Sequence, residues 1–200
     1  MSETFFRALV VRKNDDKTFT REVTERKIND LPEGDVLIRV RYSSLNFKDG
    51  LSCIGNPGVT RNFPHTPGID ASGEVAESSD SRFKEGDFVI VSGYNLGMDT
   101  SGGFGQYIRV PADWIEPLPE GLTIKEAAIY GVAGFTAALS VDALQKHGIG
   151  PEDGEVVVTG STGGVGSVSV ALLSHLGYNV VASTGKKEER EFLSGIGASQ

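Results

Sequence analysis

Hydrophobic and polar positions change rhythm once along this chain. As far as Val110, apolar residues come in short runs: Ala8 to Val11, Val36 to Ser43, Ala71 to Ala76, Phe88 to Ser92 and Gly105 to Val110. Runs of this kind, bounded by glycine, proline and acidic residues, predict strands. Leu31-Pro32-Glu33-Gly34-Asp35 and Phe83-Lys84-Glu85-Gly86-Asp87 are turns leading into two of them, and the set suits a compact barrel of antiparallel strands. After Pro117 to Gly121 the period becomes helical. Thr123-Ile124-Lys125-Glu126 has capping-box spacing, and Glu126 to Leu144 places Ala, Val, Leu and Phe on a helix interrupted by Gly131 and Gly134. The boundary is expected near residue 122, giving domains 1–121 and 122–200.

The second part opens on Val156-Val157-Val158, a buried parallel strand by composition, followed by Gly160-x-x-Gly163-Gly164-x-Gly166. Ser167 to Leu176 then reads as a helix, Gly177 ends it, and Asn179 to Ser183 returns to strand. This is a βαβ unit whose glycine turn suits a dinucleotide pyrophosphate, although the spacing departs from the commoner G-x-G-x-x-G. Backbone N–H groups of Ser161, Thr162, Gly163, Gly164 and Val165 are expected to face that pyrophosphate. At the end of the second strand, Ser183-Thr184-Gly185-Lys186 has no carboxylate to repel a ribose 2′-phosphate, and its hydroxyls and ammonium can bind one. The cofactor expected is therefore NADPH, with a solvated helix start as the other reading of Lys186. Only Gly197-Ala198-Ser199-Gln200 points toward a third strand, so the sheet is expected to be unfinished and the sequence to stop inside a longer chain.

Composition narrows the classes further. The 200 residues, 38% hydrophobic and 23% charged, are ordinary for a globular protein. A net charge of -8 and the lack of a Lys/Arg stripe argue against nucleic acid. No apolar stretch is read as approaching a membrane span, no N-terminal targeting pattern is seen, and a cytoplasmic location follows as the expectation. Cys53 is the only cysteine, which excludes an intrachain disulfide and a thiolate zinc cluster.

A barrel followed by Gly163-Gly164-Val165-Gly166 resembles the medium-chain dehydrogenase/reductase superfamily. Ser44-Leu45-Asn46-Phe47-Lys48-Asp49-Gly50, Pro67-Gly68-Ile69-Asp70-Ala71-Ser72-Gly73, Ala133-Gly134-Phe135-Thr136-Ala137-Ala138 and Val180-Val181-Ala182-Ser183-Thr184-Gly185 are similar to its zinc-free YhdH/YhfP group. The resemblance implies an α/β protein: a GroES-like β-barrel followed by a doubly wound Rossmann domain, here incomplete. It implies NADPH-dependent reduction of an activated carbon–carbon double bond, acrylyl-CoA to propionyl-CoA foremost. An NADPH:quinone oxidoreductase and a non-catalytic NADPH sensor stand as alternatives. The zinc-ligand positions of the metal-dependent relatives match Asn46, Ile69 and Val132, which cannot supply the ligand set, so no metal is expected. A homodimer is implied for the full-length protein.

By the same resemblance, Asn46 to Asp49 falls at the substrate cleft. Reducing an enoyl thioester builds charge on the thioester oxygen and requires a proton at the α-carbon. Asn46 is expected to donate its amide, Lys48 to stabilise the enolate, and Asp49 to orient Lys48 or move a proton; capping the turn before Gly50 is the other reading of Asp49. Phe47 is expected on the nicotinamide or in the core, and Thr136 near the nicotinamide or in helix packing. Asp70 matches a carboxylate near the metal in zinc-dependent relatives and is expected here as a buried, hydrogen-bonded acid.

Overall fold

The computed structural model describes residues 4–200. Its strands and helices are β1 (Phe5–Lys13), β2 (Phe19–Lys27), β3 (Val36–Tyr42), α1 (Phe47–Cys53), β4 (Asp70–Ser78), β5 (Phe88–Ser92), β6 (Tyr107–Val110), β7 (Ile115–Pro117), α2 (Ile124–Lys146), β8 (Glu155–Thr159), α3 (Gly164–His175), β9 (Asn179–Ser183) and α4 (Arg190–Gly195). The chain forms two compact units, one ending at Val132 and the other running Ala133–Gln200.

In the first unit an antiparallel sheet has the order β6-β3-β4-β5-β7, and β1 pairs with β2 in a hairpin. The run Val36-Leu37-Ile38 is buried at all three positions because β3 is covered on both faces. Val36 and Ile38 pack with Val75, Val89, Val91 and Ile108, whereas Leu37 faces Phe6, Ala8 and Val10 of β1. Backbone bonds from Leu9 N–H to the Phe104 carbonyl and from Gln106 N–H to the Arg7 carbonyl tie the hairpin to the segment entering β6. Strand β2, Phe-Thr-Arg-Glu-Val-Thr-Glu-Arg-Lys, is not among the strands the sequence pattern predicts. No residue of β2 is fully buried, so it carries no apolar period; pairing from Phe5↔Lys27 to Lys13↔Phe19 defines it instead.

Helix α2 departs from expectation in two respects. With 23 residues and a mean hydropathy of 1.5 over its best window, it is long and apolar enough to cross a membrane by length and composition alone. The sequence reading divides it at its glycines, and the backbone does break there: Gly131 has φ 48 and ψ −156. The units also part at Val132, ten residues beyond the boundary expected near 122. The first turns of α2 are bonded to the barrel, with Ser72 Oγ–H donating to the Ile124 carbonyl at 2.9 Å.

In the second unit β8 and β9 pair in parallel from Glu155↔Asn179 to Thr159↔Ser183, and α3 crosses between them. Val141, Val170, Leu173, Tyr178 and Val180 form its core. Ser199 N–H donates to the Val180 carbonyl and Ala182 N–H to the Gln200 carbonyl, so the last residues line the other edge of β9, as the pattern toward a third strand predicts.

Candidate functional site

The glycine turn between β8 and α3 is shaped by close approach. A Cβ on Gly166 would lie 2.7 Å from Ser161 Cα and still nearer the Gly160 carbonyl oxygen, so only glycine lets α3 start this close to the turn. Gly163 is the N-cap and contributes no side-chain cap bond. The N–H groups of Gly164, Val165 and Gly166 therefore begin a helix with no intrahelical acceptor, and the helix dipole adds positive potential there. A groove of about 500 Å³ lies alongside, lined in part by Thr159, Gly160, Gly163, Gly164, Val165 and Ser140.

Two of the expected pyrophosphate donors are committed elsewhere. Ser161 is fully buried, and both its N–H and its Oγ–H donate to the Ser183 carbonyl, at 3.3 and 3.0 Å. Gly163 N–H donates to the Gly160 carbonyl at 2.9 Å. These bonds close the turn on itself. Ser161 and Gly163 thus shape the turn, and the N–H groups without an intrahelical acceptor lie at the start of α3.

The expected ribose-phosphate residues stand together at the end of β9. Thr162 Oγ1 and Thr184 Oγ1 are 3.4 Å apart, and Lys186 N–H donates to Thr184 Oγ1 at 3.1 Å. Ser183, Gly185 and Lys186 are exposed. Thr136, on α2, is exposed, and its carbonyl accepts Ser140 Oγ–H at 2.9 Å.

In the first unit the organising group is Asp70, 3% exposed at the start of β4. One carboxylate oxygen accepts Ser44 N–H at 2.7 Å. The other accepts Ser44 Oγ–H, Asn46 Nδ2–H at 3.2 Å and Val132 N–H at 3.2 Å. Val132 reaches it because Gly131 carries no side chain: a Cβ there would lie 2.6 Å from Ser44 Oγ and 2.8 Å from Asp70 Oδ2. Sequence reasoning anticipated a buried Asp70 but missed Ser44, whose signal was a hydroxyl placed two residues before Asn46.

This cluster revises two expected roles. The Asn46 amide donates to Ser44 Oγ at 3.0 Å and to Asp70, which leaves its carbonyl oxygen, not its N–H groups, for another molecule. Asp49, 2% exposed, accepts Asn46 N–H at 2.7 Å and Ile69 N–H at 3.0 Å. Both of its oxygens brace backbone, so it ties α1 to the segment before β4 instead of orienting Lys48. Burial pushes its carboxyl above the ordinary 3.8, and the two backbone N–H bonds oppose that rise. Phe47 is 84% exposed and so is not a core aromatic, and Lys48 beside it is also exposed. Tyr94 stacks on Trp114 at 5.1 Å, and its hydroxyl donates to the Asp113 carbonyl.

Residues 32–120 match the alcohol dehydrogenase GroES-like domain family. The chain is 49% identical over 197 residues to the acrylyl-CoA reductase AcuI of Ruegeria pomeroyi, covering 98% of this chain and 59% of that protein. It has the same identity and coverage with YhfP of Bacillus subtilis, which bears a quinone oxidoreductase name. A crystal structure of YhfP with NAD bound is 48% identical, with a TM-score of 0.94 over 98% of this chain and 59% of that one. The yhdH oxidoreductase of Salmonella enterica in complex with NADP is 44% identical, with a TM-score of 0.94 over 96% and 59%. The chain thus spans about 59% of the length of these relatives.

Proposed function

We propose that the full-length protein is a medium-chain dehydrogenase/reductase, on the likeness of this chain to AcuI, YhfP and yhdH and of residues 32–120 to the GroES-like domain, and that it is an NADPH-dependent reductase of an activated carbon–carbon double bond. The substrate we assign is an enoyl thioester, acrylyl-CoA foremost. The observation that carries the reading is the start of α3, where Gly166 abuts Ser161 and the N–H groups of Gly164 to Gly166 lack intrahelical acceptors. That helix start fits a pyrophosphate, and a Cβ on Gly166 would push it away from the turn. Ser183, Thr184, Gly185 and Lys186 would hold the 2′-phosphate.

When bound, NADPH would supply a hydride for the β-carbon of the substrate, and the α-carbon would take a proton. The chain's own contribution is to hold the charge that develops on the thioester oxygen. Lys48 is exposed, and among the described residues it has no ion pair, so its ammonium is available for that oxygen. Asn46, fixed through Ser44 and Asp70, presents a carbonyl oxygen that can accept a hydrogen bond from substrate or cofactor. Zinc has no part in this reading, because Asn46, Ile69 and Val132 do not form a ligand set. A quinone oxidoreductase is the second reading, supported by the name of YhfP.

The test is Lys48→Ala in the full-length protein, followed through both NADPH affinity and turnover of acrylyl-CoA. Turnover should fall about tenfold or more with affinity unchanged, as for loss of one transition-state donor. Unchanged turnover removes Lys48 from the mechanism. Loss of affinity without loss of turnover reassigns it to the cofactor.

A further inference from the structure

A groove of about 740 Å³ on the first unit is lined by Arg12, Lys13, Arg61, Asn62, Phe63 and Pro64. Three cations share this opening in a chain of net charge -8. Among the described residues none of the three has an ion pair with a carboxylate. Asp16, in the turn just after Lys13, is occupied by the N–H and hydroxyl of Thr18. Unpaired cations gathered in a concave surface are the footprint of an anionic ligand.

The groove is also built. Arg61 Nε–H donates to the Pro57 carbonyl at 3.1 Å, which fixes the guanidinium and leaves its terminal nitrogens free to donate. The Phe63 ring packs on Phe19 at 5.0 Å and edge-on to His65 at 6.4 Å, giving an apolar wall beside the cations. Val11, next to Arg12, exchanges both backbone bonds with His65, at 2.7 and 2.9 Å, so the two sides of the groove are held by one ladder. Burial first, opposed by Asp30, and then the charge of Arg12 bring the nearby Arg26 guanidinium below its ordinary value. A ligand combining several phosphate charges with a flat ring matches this surface. NADPH does not account for it, since the donors assigned to its phosphates all lie in the second unit.

We propose that this groove binds the 3′-phosphoadenosine diphosphate end of a coenzyme A thioester, with Arg12, Lys13 and Arg61 on its phosphates. This rests on the thioester reading above and names what would recognise the carrier as distinct from the acyl group.

The test uses full-length protein saturated with NADPH, titrated with free coenzyme A and with dephospho-coenzyme A. Coenzyme A should bind, and dephospho-coenzyme A should bind about tenfold more weakly, as for one lost charge-assisted contact. Arg61→Gln and Arg12→Gln should each weaken coenzyme A about tenfold, with Arg61→Lys restoring part of the loss and all variants melting like the parent. In kinetics, Arg61→Gln should raise KM for acrylyl-CoA but leave kcat and the KM for the acrylyl thioester of N-acetylcysteamine unchanged. Absence of coenzyme A binding to the parent, parent-like binding by both Gln variants, or an equal loss with the truncated thioester overturns the proposal. Arginine-dependent binding of coenzyme A without thioester turnover would keep the groove and refute the reaction. Thioester turnover by the parent with the KM for acrylyl-CoA unchanged in both Gln variants would do the reverse.

Discussion

Replacing Asp70 by Asn changes one atom in an environment made only of donors. Five donors converge on the carboxylate: Ser44 N–H, Ser44 Oγ–H, Asn46 Nδ2–H, Val132 N–H and, at 3.4 Å, Ser43 Oγ–H. An asparagine amide offers one acceptor and one donor, so whichever way it turns, its NH₂ meets an N–H or O–H. The less costly orientation keeps the oxygen toward Ser44 Oγ, Asn46 and Val132 and leaves Ser44 N–H unpaired. A buried unsatisfied donor costs roughly 1–3 kcal/mol, and the remaining bonds lose their charge assistance, so the expected destabilisation is about 3 kcal/mol. Urea unfolding of full-length Asp70→Asn beside the parent measures it. Ser44→Ala keeps the Asn46 amide bonded to Asp70 and should cost only about 1 kcal/mol. In the double variant the Asp70→Asn penalty should shrink, since one of the charge-assisted bonds it weakens is already gone. A loss under about 0.5 kcal/mol for Asp70→Asn, set against that 1–3 kcal/mol penalty, would refute the argument that the carboxylate organises this cluster.

Gly166→Ala should weaken NADPH binding about tenfold or more and also lower the melting temperature, because every atom its Cβ would meet is backbone. The helix gains up to about 1 kcal/mol of propensity, but its start must back away from Ser161; equal affinity by titration would contradict this. Lys186→Ala should narrow the preference for NADPH over NADH, read from the two dissociation constants, and an unchanged ratio would credit other groups. Burial holds the His65 ring below its ordinary 6.5, while the bond to the Gly97 carbonyl at 2.8 Å opposes the shift. Its contribution to stability should be present above about pH 6.5 and be lost as pH falls through the depressed value. His65→Gln should flatten that part of the urea-midpoint profile, and an unaltered profile would count against it.

The βαβ unit was legible because each of its parts carries a local signal: β-branched strand, glycine turn, helix period, glycine stop. The edge strand β2 was not, since a hairpin strand with polar side chains on both faces has no period to detect. The division after Val132 instead of near residue 122 depends on hydrogen bonds from Ser72 to Ile124 and from Val132 to Asp70, contacts between residues 52 and 62 positions apart. The site was legible in part for the same reason. Asn46, Asp49 and Asp70 stand out as residue types, but which of their atoms remain free depends on partners such as Ser44 and Ile69. Likewise, Ser161 and Gly163 sit in the right turn, yet the tightness of that turn consumes their N–H groups.

The most direct test of the central claim is steady-state NADPH oxidation by the full-length protein with acrylyl-CoA and a benzoquinone side by side, in the presence and absence of a zinc chelator. The account predicts that acrylyl-CoA is reduced much the faster and that the chelator has no effect. Faster reduction of the benzoquinone, or activity abolished by the chelator and restored by zinc, would contradict it.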